Sequence, residues 1–203
     1  AYPDRPAVTF GDLTLTYAKY RQAVAALAAR WQRSVTPGDR IVLALPNSLD
    51  MAIGMFAAHA VGAQVVPVNP AYRPTELRRM LVDAAPRLIV HSTAAAPALR
   101  ELRGELTAAE WLDVGDSGIA FRPDSAGRKS KLPSLALSPE MLATLQYTGG
   151  TSGLPKGVNI THRQLVVNQL QREALLSTEQ GGETMLCVMP LFHVSAVAMC
   201  LHM

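Results

Sequence analysis

Apolar runs that alternate with helix-like segments constrain the fold of this chain more than any other feature. Residues 40–45, 63–68 and 88–91 are near-continuous apolar runs, and residues 48–61 and 75–84 between them have the spacing of helices. Strands buried on both faces have unbroken apolar sequences, and intervening helices connect such strands in parallel. The sequence therefore predicts an α/β fold with a largely parallel sheet flanked by helices.

The remaining segments predict further helices and strands around this sheet. The pair Gly11-Asp12 separates two short alternating runs and predicts a hairpin, and Thr16 is placed to cap the helix that follows. The predicted strands are 7–10, 13–17, 141–147, 157–160 and 184–189; the predicted helices are 17–32, 161–176 and a segment after His193, with a helix also allowed over 94–106. Residues 115–139 are rich in Gly, Ser and Pro and are expected to form a surface connection.

Composition excludes several classes of function. The 203 residues are 49% hydrophobic, and 19 basic and 16 acidic residues are scattered along them, so no charged arm for nucleic acid is expected. No apolar run reaches the roughly 20 residues that a transmembrane helix needs. Cys187 and Cys200 lack the spacing of a metal site, and we expect reduced thiols in a cytoplasmic protein.

Most of the candidate binding residues of the chain lie within residues 145–158. They read Leu-Gln-Tyr-Thr-Gly-Gly-Thr-Ser-Gly-Leu-Pro-Lys-Gly-Val and follow a strand-like run. Glycines allow main-chain N–H groups to approach an anion, hydroxyls donate hydrogen bonds, and lysine adds a mobile positive charge. The predicted polyphosphate-binding residues are Thr148, Gly149, Gly150, Thr151, Ser152, Gly153 and Lys156.

The stretch does not match the Walker-type phosphate loop. Pro155 stands where that motif requires glycine, and Gly157 follows the lysine where the motif requires Ser or Thr. Proline also removes one N–H donor, so this loop must present its donors differently. A flexible Gly/Ser surface loop remains the structural alternative.

Residues 147–157 resemble the phosphate-binding signature of the adenylate-forming superfamily at every position. That superfamily contains acyl-CoA synthetases, aryl-CoA ligases, peptide-synthetase adenylation domains and luciferases. Its signature is an aromatic residue, then Thr-Ser/Gly-Gly-Thr/Ser-Thr/Ser-Gly-x-Pro-Lys-Gly. The resemblance implies the N-terminal subdomain of the adenylate-forming fold.

Three other landmarks are similar to the same superfamily. They are residues 65–70 with Glu76 and Leu77, Thr161-His162-Arg163 with Gln164, and residues 189–194, which contain Pro190-Leu191-Phe192-His193. The resemblance places His193 beside the carboxylate-binding pocket, whereas a buried structural histidine is the alternative. His162 is expected mainly to cap or pack a helix, and His59, His91 and His202 are interpreted as core histidines.

The resemblance implies a reaction and its cofactors. In the superfamily a carboxylic acid attacks the α-phosphate of ATP to give an acyl-adenylate and pyrophosphate, and the acyl group passes to a thiol such as CoA. By this resemblance the loop binds the β- and γ-phosphates, the Thr148 hydroxyl faces Mg²⁺, and Thr151, Ser152 and Lys156 donate to the leaving pyrophosphate. Donors and cations at this position offset the charge that develops on the phosphates.

The extent of the chain sets further expectations. It starts without methionine and stops inside an apolar pattern, so residues 1–203 are interpreted as a partial N-terminal, AMP-binding domain without the C-terminal lid domain. We expect this fragment alone to be inactive and its parent to be a ligase closest to the fatty-acyl type. Peptide-synthetase adenylation and a non-catalytic binding or interaction module are the alternatives. The apolar surface of residues 194–203 is expected to favour a homo-oligomer.

Overall fold

The computed structural model describes residues 2–122, 130–149, 155–179 and 182–202. Helices and strands alternate through most of these residues. The strands are β1 Pro6–Phe10, β2 Leu13–Thr16, β3 Arg40–Ala44, β4 Gln64–Pro67, β5 Leu88–His91, β6 Glu110–Asp113, β7 Leu142–Gly149 and β8 Pro155–Thr161. The helices are α1 Tyr17–Trp31, α2 Leu49–Ala60, α3 Pro74–Ala84, α4 Ala96–Leu99, α5 His162–Leu175 and α6 Val194–His202.

The central sheet has six strands in the order β6-β5-β3-β4-β7-β8. The first five strands are parallel to one another, and β8 is antiparallel to β7. Strands β1 and β2 form a separate antiparallel hairpin. The predicted α/β fold with a largely parallel sheet and the predicted hairpin are both confirmed.

Each face of the sheet packs against its own set of helices. On β3, Ile41 and Leu43 lie in the core shared with α1 and α2, whereas Val42 and Ala44 lie in the core shared with α3. All four side chains are inaccessible to solvent. Burying such an aliphatic side chain contributes roughly 1.5–3 kcal/mol, and burial on both faces explains why the strands have unbroken apolar sequences.

Three helices begin at a hydroxyl side chain that caps the first turn. The amides of Lys19, Met51 and Gln164 donate to Thr16 Oγ1 (3.3 Å), Ser48 Oγ (3.1 Å) and Thr161 Oγ1 (3.2 Å), respectively. Gln164 Oε1 accepts in turn from the Thr161 amide at 2.8 Å, which completes a capping box. The prediction that Thr16 caps α1 is confirmed.

Two strand predictions differ from the structure. Strand β6, Glu-Trp-Leu-Asp, was not predicted because two acidic residues flank only two apolar ones, yet it pairs with β5 at the edge of the sheet. The predicted strand 184–189 is wrong, since this segment is irregular in the structure. Residues 94–106 contain only short turns of helix, of which Ala96–Leu99 is α-helical.

The connection predicted over residues 115–139 has no helix or strand in its described parts, residues 115–122 and 130–139. Within the described part of the chain, no helix combines the length and apolarity needed to cross a membrane.

Candidate functional site

The carboxyl edge of the parallel strands is where the fold gathers polar loops. Strands β3 and β4 are neighbours, but helix α2 after β3 and helix α3 after β4 pack on opposite faces of the sheet. The connections that leave these two strands therefore run to opposite faces of the sheet. They leave a crevice between them at the carboxyl ends of the strands, which is the usual ligand position in open α/β sheets. Asn47 follows β3, Asn69 follows β4, and β7, the other neighbour of β4, ends at Gly149.

The β7–β8 hairpin positions the two ends of the glycine-rich segment. Thr148 pairs with Lys156 and Gly149 pairs with Pro155 across the two strands. Thr148, Gly149 and Lys156 are all exposed. The other predicted phosphate-binding residues, Gly150, Thr151, Ser152 and Gly153, lie outside the described residues.

The two described glycines of this hairpin serve different purposes. Gly149 has no atom within 4 Å of the position a Cβ would take, and its φ lies outside the left-handed region. A Cβ on Gly157 would lie 3.0 Å from Leu145 Cδ1 and 3.2 Å from Tyr147 Cε1. Glycine at position 157 therefore allows close packing against the side chains of β7.

Tyr147 joins the hairpin to helix α3. Its hydroxyl lies 2.5 Å from Asp83 Oδ2 and 3.0 Å from the Met80 carbonyl, so its one proton is shared between two acceptors. Burial and the neighbouring Asp83 carboxylate raise the pKa of the Tyr147 phenol, so it stays protonated and remains a donor. Beside this contact lies an open cleft of about 530 Å³ lined by Arg79, Asp83, Tyr147, Pro155, Lys156 and Gly157.

The segment that contains His193 is attached to two strands of the sheet. The Asn47 side chain donates to the Met189 carbonyl at 2.9 Å and accepts from the Leu191 amide at 2.6 Å. The Gln146 side chain donates to the Phe192 carbonyl at 2.9 Å. These contacts hold residues 189–193 against the ends of β3 and β7.

His193 itself lies directly before α6 and is exposed. Its carbonyl accepts from the amides of Ala196 (3.1 Å) and Val197 (3.3 Å), so the residue starts the helix. The structure thus places it at the surface, not in the core, which removes the buried-histidine alternative.

His162 and His59 form a packed pair of rings, as expected for a structural role. Their ring centroids are 5.2 Å apart in an edge-to-face arrangement, and His59 Nε2 lies 3.1 Å from the Ala143 carbonyl. Burial, followed by the neighbouring His162, lowers the pKa of His59 to about 4, and burial lowers the pKa of His162. Both rings are therefore neutral at pH 7.

His91 is also a buried structural residue. Its Nδ1 lies 3.0 Å from the Ser92 carbonyl and its Nε2 lies 3.3 Å from the Arg103 guanidinium. The interpretation of His91 as a core histidine is confirmed. The side chain of His202 lies outside the described residues.

Asn47, Gln146 and Asp83 were not among the residues predicted to build the site. A polar residue within three positions of the end of an apolar parallel strand, as Asn47 is, was the available signal. Gln146, at 6% exposure, is a polar residue within a buried strand, which is equally informative. Asp83 gives no signal, because in the sequence it is one of several charged residues on the outer face of a helix.

Comparison with known proteins adds independent information. The model of the AMP-binding enzyme family matches residues 1–203. The chain is 29% identical to 4-coumarate-CoA ligase 1 of Narcissus pseudonarcissus over 95% of its length and 37% of the relative's. It is 30% identical to the long-chain-fatty-acid–CoA ligase of Escherichia coli O6:H1 over 97% of its length and 41% of the relative's. The chain thus spans about two fifths of these curated relatives.

A solved structure has the same fold. VinN in complex with 3-methylaspartate superposes with a TM-score of 0.84 at 29% identity, and the match covers 98% of this chain and 55% of VinN. The resemblance that residues 147–157 indicate is therefore confirmed at the level of family and fold, and the chain belongs to the AMP-binding enzyme family.

Proposed function

We propose that this chain is the N-terminal, ATP-phosphate-binding part of an ATP-dependent carboxylate–CoA ligase. The supporting observation is the pairing of Thr148 with Lys156 at the carboxyl edge of the sheet, on either side of the glycine-rich segment. This register places a hydroxyl donor and a cation at the two ends of the segment proposed to bind the anion. The AMP-binding family to which the chain belongs is consistent with this function.

The residues of the hairpin would act mainly by binding and neutralising phosphate oxygens. A carboxylate that attacks a triphosphate is opposed by like charge, and Lys156 together with hydroxyl and N–H donors reduces this repulsion. The substrate carboxylate is the nucleophile, so no nucleophilic side chain is needed. Thr148, Gly149 and Lys156 are the described members of this site, and Gly150, Thr151, Ser152 and Gly153 are its proposed remainder.

Mg²⁺ would bind at this site together with ATP. Among the residues that the structure describes, no group of three or more His, Cys, Asp or Glu side chains could hold a metal ion. Mg²⁺ commonly binds through substrate phosphates and water with few protein ligands. The exposed Thr148 hydroxyl is the proposed protein group facing it, and Mg²⁺ would supply charge neutralisation on the phosphates.

We propose a small-molecule carboxylate, a fatty or other acyl acid, as the second substrate and CoA as the acceptor. His193 is the proposed contact to the acid because residues 189–193 are held at the same edge of the sheet by Asn47 and Gln146. A fatty acid is our first candidate, but the coumarate ligase and the fatty-acid ligase match with nearly equal identity, 29% and 30%. VinN, solved with 3-methylaspartate, supports an amino acid as the alternative.

We propose that residues 1–203 form part of an N-terminal domain and do not complete the reaction alone. The chain spans 37% and 41% of the two ligases named above, and their remaining length has no counterpart in it. Incubation of the chain with ATP, Mg²⁺, labelled pyrophosphate and a panel of acids should give no exchange above background. Robust exchange would contradict this proposal. A cytoplasmic location is proposed with it, since ATP and CoA are available there.

Titration calorimetry of ATP–Mg²⁺ into the chain tests the phosphate site directly. Lys156→Ala should weaken binding at least about tenfold, because a charge-assisted hydrogen bond contributes about 1.5–3 kcal/mol. Lys19→Ala is the matched control, since Lys19 is an exposed lysine on α1 and its substitution removes the same charge elsewhere.

The calorimetry also distinguishes the second candidate function, a non-catalytic interaction module that keeps the hairpin as a folding element. Equal affinity of wild type, Lys156→Ala and Lys19→Ala would contradict the phosphate site. Loss of affinity in Lys156→Ala alone would contradict the interaction module.

A further inference from the structure

The open cleft beside Lys156 is formed jointly by helix α3 and the β7–β8 hairpin, and it is called the α3–β8 cleft below. Its volume is about 530 Å³. The residues that line it are Arg79 and Asp83 of α3, Tyr147 of β7, and Pro155, Lys156 and Gly157 of β8. Asp83 Oδ2 lies 3.4 Å from the position a Cβ on Gly157 would take, so α3 and β8 are in direct contact next to Lys156.

The charged groups in this cleft are two cations and one carboxylate. The carboxylate of Asp83 already has a partner, since its Oδ2 lies 2.5 Å from the Tyr147 hydroxyl. Among the residues that the structure describes, no ion pair joins Arg79 or Lys156 to a carboxylate, and both side chains are exposed. The cleft therefore carries a net positive charge and has two cations available to an anion.

The arginine next to Arg79 in the sequence has a different environment. Arg78 Nε donates to both carboxylate oxygens of Glu105 at 2.9 Å, and Arg78 is not part of the cleft lining. Arg79 and Asp83 are four positions apart on α3, so they share one face of the helix, and that face borders the cleft. Helix α3 thus directs one arginine to a carboxylate of the chain and the next one to the cleft.

We infer that Arg79 is a second cation of the phosphate site and binds a polyphosphate in the α3–β8 cleft together with Lys156. The planar guanidinium can donate two parallel hydrogen bonds to phosphate oxygens, whereas an ammonium acts as a point charge. The ligand is the terminal phosphates of ATP or the free pyrophosphate that leaves. This inference rests on the proposed function, because Lys156 belongs to both.

Asp83 has the opposite effect on such a ligand. Its carboxylate lines the same cleft and repels phosphate oxygens, so it lowers the affinity that Arg79 and Lys156 provide. A lowered affinity suits pyrophosphate, which has to be released after the reaction. The two residues of α3 are therefore expected to change polyphosphate binding in opposite directions.

Titration calorimetry of the 203-residue chain with pyrophosphate, ATP and AMP, all without Mg²⁺, tests this inference. Arg79→Ala should weaken binding of pyrophosphate and ATP at least about fivefold, because a charge-assisted hydrogen bond is lost. AMP has no terminal phosphates and should show no difference between this variant and wild type. Asp83→Asn should strengthen pyrophosphate binding at least about twofold, since a like charge is removed while an acceptor for Tyr147 remains.

Arg78→Ala is the matched control, because it removes the same charge from the adjacent position of the same helix. It should leave the affinity for pyrophosphate and ATP unchanged. A loss in Arg79→Ala for ATP alone assigns the residue to the bound nucleotide, and a loss for both ligands assigns it to the leaving pyrophosphate as well.

The outcomes separate this inference from the proposed function. Equal affinities of Arg79→Ala and Arg78→Ala, with weakened ATP binding in Lys156→Ala, would overturn the role of Arg79 and leave the phosphate site of the hairpin in place. Unchanged ATP binding in Lys156→Ala as well, or no binding of pyrophosphate and ATP by wild type, would overturn both. Weaker pyrophosphate binding in Asp83→Asn would contradict the repulsion assigned to Asp83.

Discussion

The paired rings of His59 and His162 make the stability of the chain sensitive to mild acid. The folded state holds His59 with a pKa of about 4, below its ordinary value of 6.5, because the ring is enclosed between α2, β7 and α5. The unfolded chain therefore binds more protons than the folded chain between these two pH values. The free energy of unfolding should fall as pH decreases through this window, by at most about 1.4 kcal/mol per pH unit for each such group.

Urea denaturation from pH 7 to pH 4.5 measures this dependence, and His59→Gln isolates the contribution of one ring. The free energy of unfolding of the variant should depend less on pH than that of wild type. The dependence that remains comes from His162, whose pKa is also lowered by burial. Asp50 changes the free energy of unfolding in the opposite direction as pH decreases. Burial raises the pKa of its carboxyl group, although the hydrogen bonds from the Phe121 and Ala120 amides lower it. Asp50 is present in both proteins, so its contribution cancels when their free energies of unfolding are subtracted at each pH. An identical pH dependence in the two proteins would refute the role of His59.

At the scale of elements, the Asn47 side chain makes two of the hydrogen bonds that hold residues 189–193, the segment that precedes α6. Asn47→Ala removes the hydrogen bonds to the Met189 carbonyl and the Leu191 amide, which should destabilise the chain by about 1–2 kcal/mol and free this segment. Limited proteolysis should then cut residues 182–193 faster than in wild type.

Asn69→Ala is the matched control for this element. Asn69 follows the neighbouring strand β4, but within the described residues its side chain accepts from the Ala71 amide at 2.9 Å, two positions along the chain. Its substitution should leave the cleavage rate of residues 182–193 unchanged. Equal rates in all three proteins would show that the segment is held by other contacts.

The strands show which elements a sequence pattern can predict. Buried strands such as β3 and β5 have unbroken apolar sequences because both faces are covered, and they were predicted within a residue or two. The prediction of a strand at 184–189 failed because an apolar pattern does not specify a partner edge. In the structure the end of this segment bonds to the Asn47 side chain instead.

The candidate site could also be predicted only in part, because a local pattern shows residue types and not distant partners. The pattern of residues 145–158 marks Thr148 and Lys156, since their chemistry is local to the sequence. The roles of Asn47 and Asp83 depend on partners far along the chain, Met189 for Asn47 and Tyr147 for Asp83, and no local pattern indicates such contacts.

At the scale of the whole molecule, helices α5 and α6 and the segment between them present apolar side chains to solvent. Helix α5 buries none of its residues, and Leu170 is 65% exposed. Nearby in the chain, Leu186 and Val188 are 84% and 76% exposed, and α6 adds Val194 and Met199 at 39% and 37%. Helices α5 and α6 are in contact through Arg172 and Met199, so these side chains belong to neighbouring elements.

We propose that a second copy of the chain covers this apolar surface, because exposed apolar area of this kind favours association in water. Sedimentation velocity over a wide range of concentrations should show reversible self-association of the 203-residue chain. Leu170→Glu should shift the midpoint to higher concentration by at least about tenfold, since burying an uncompensated carboxylate is costly. Val82→Glu is the matched control, because Val82 is an apolar residue 49% exposed on α3, away from this surface. A chain that stays monomeric at every concentration, or an equal shift in both variants, would contradict a homo-oligomer formed through α5.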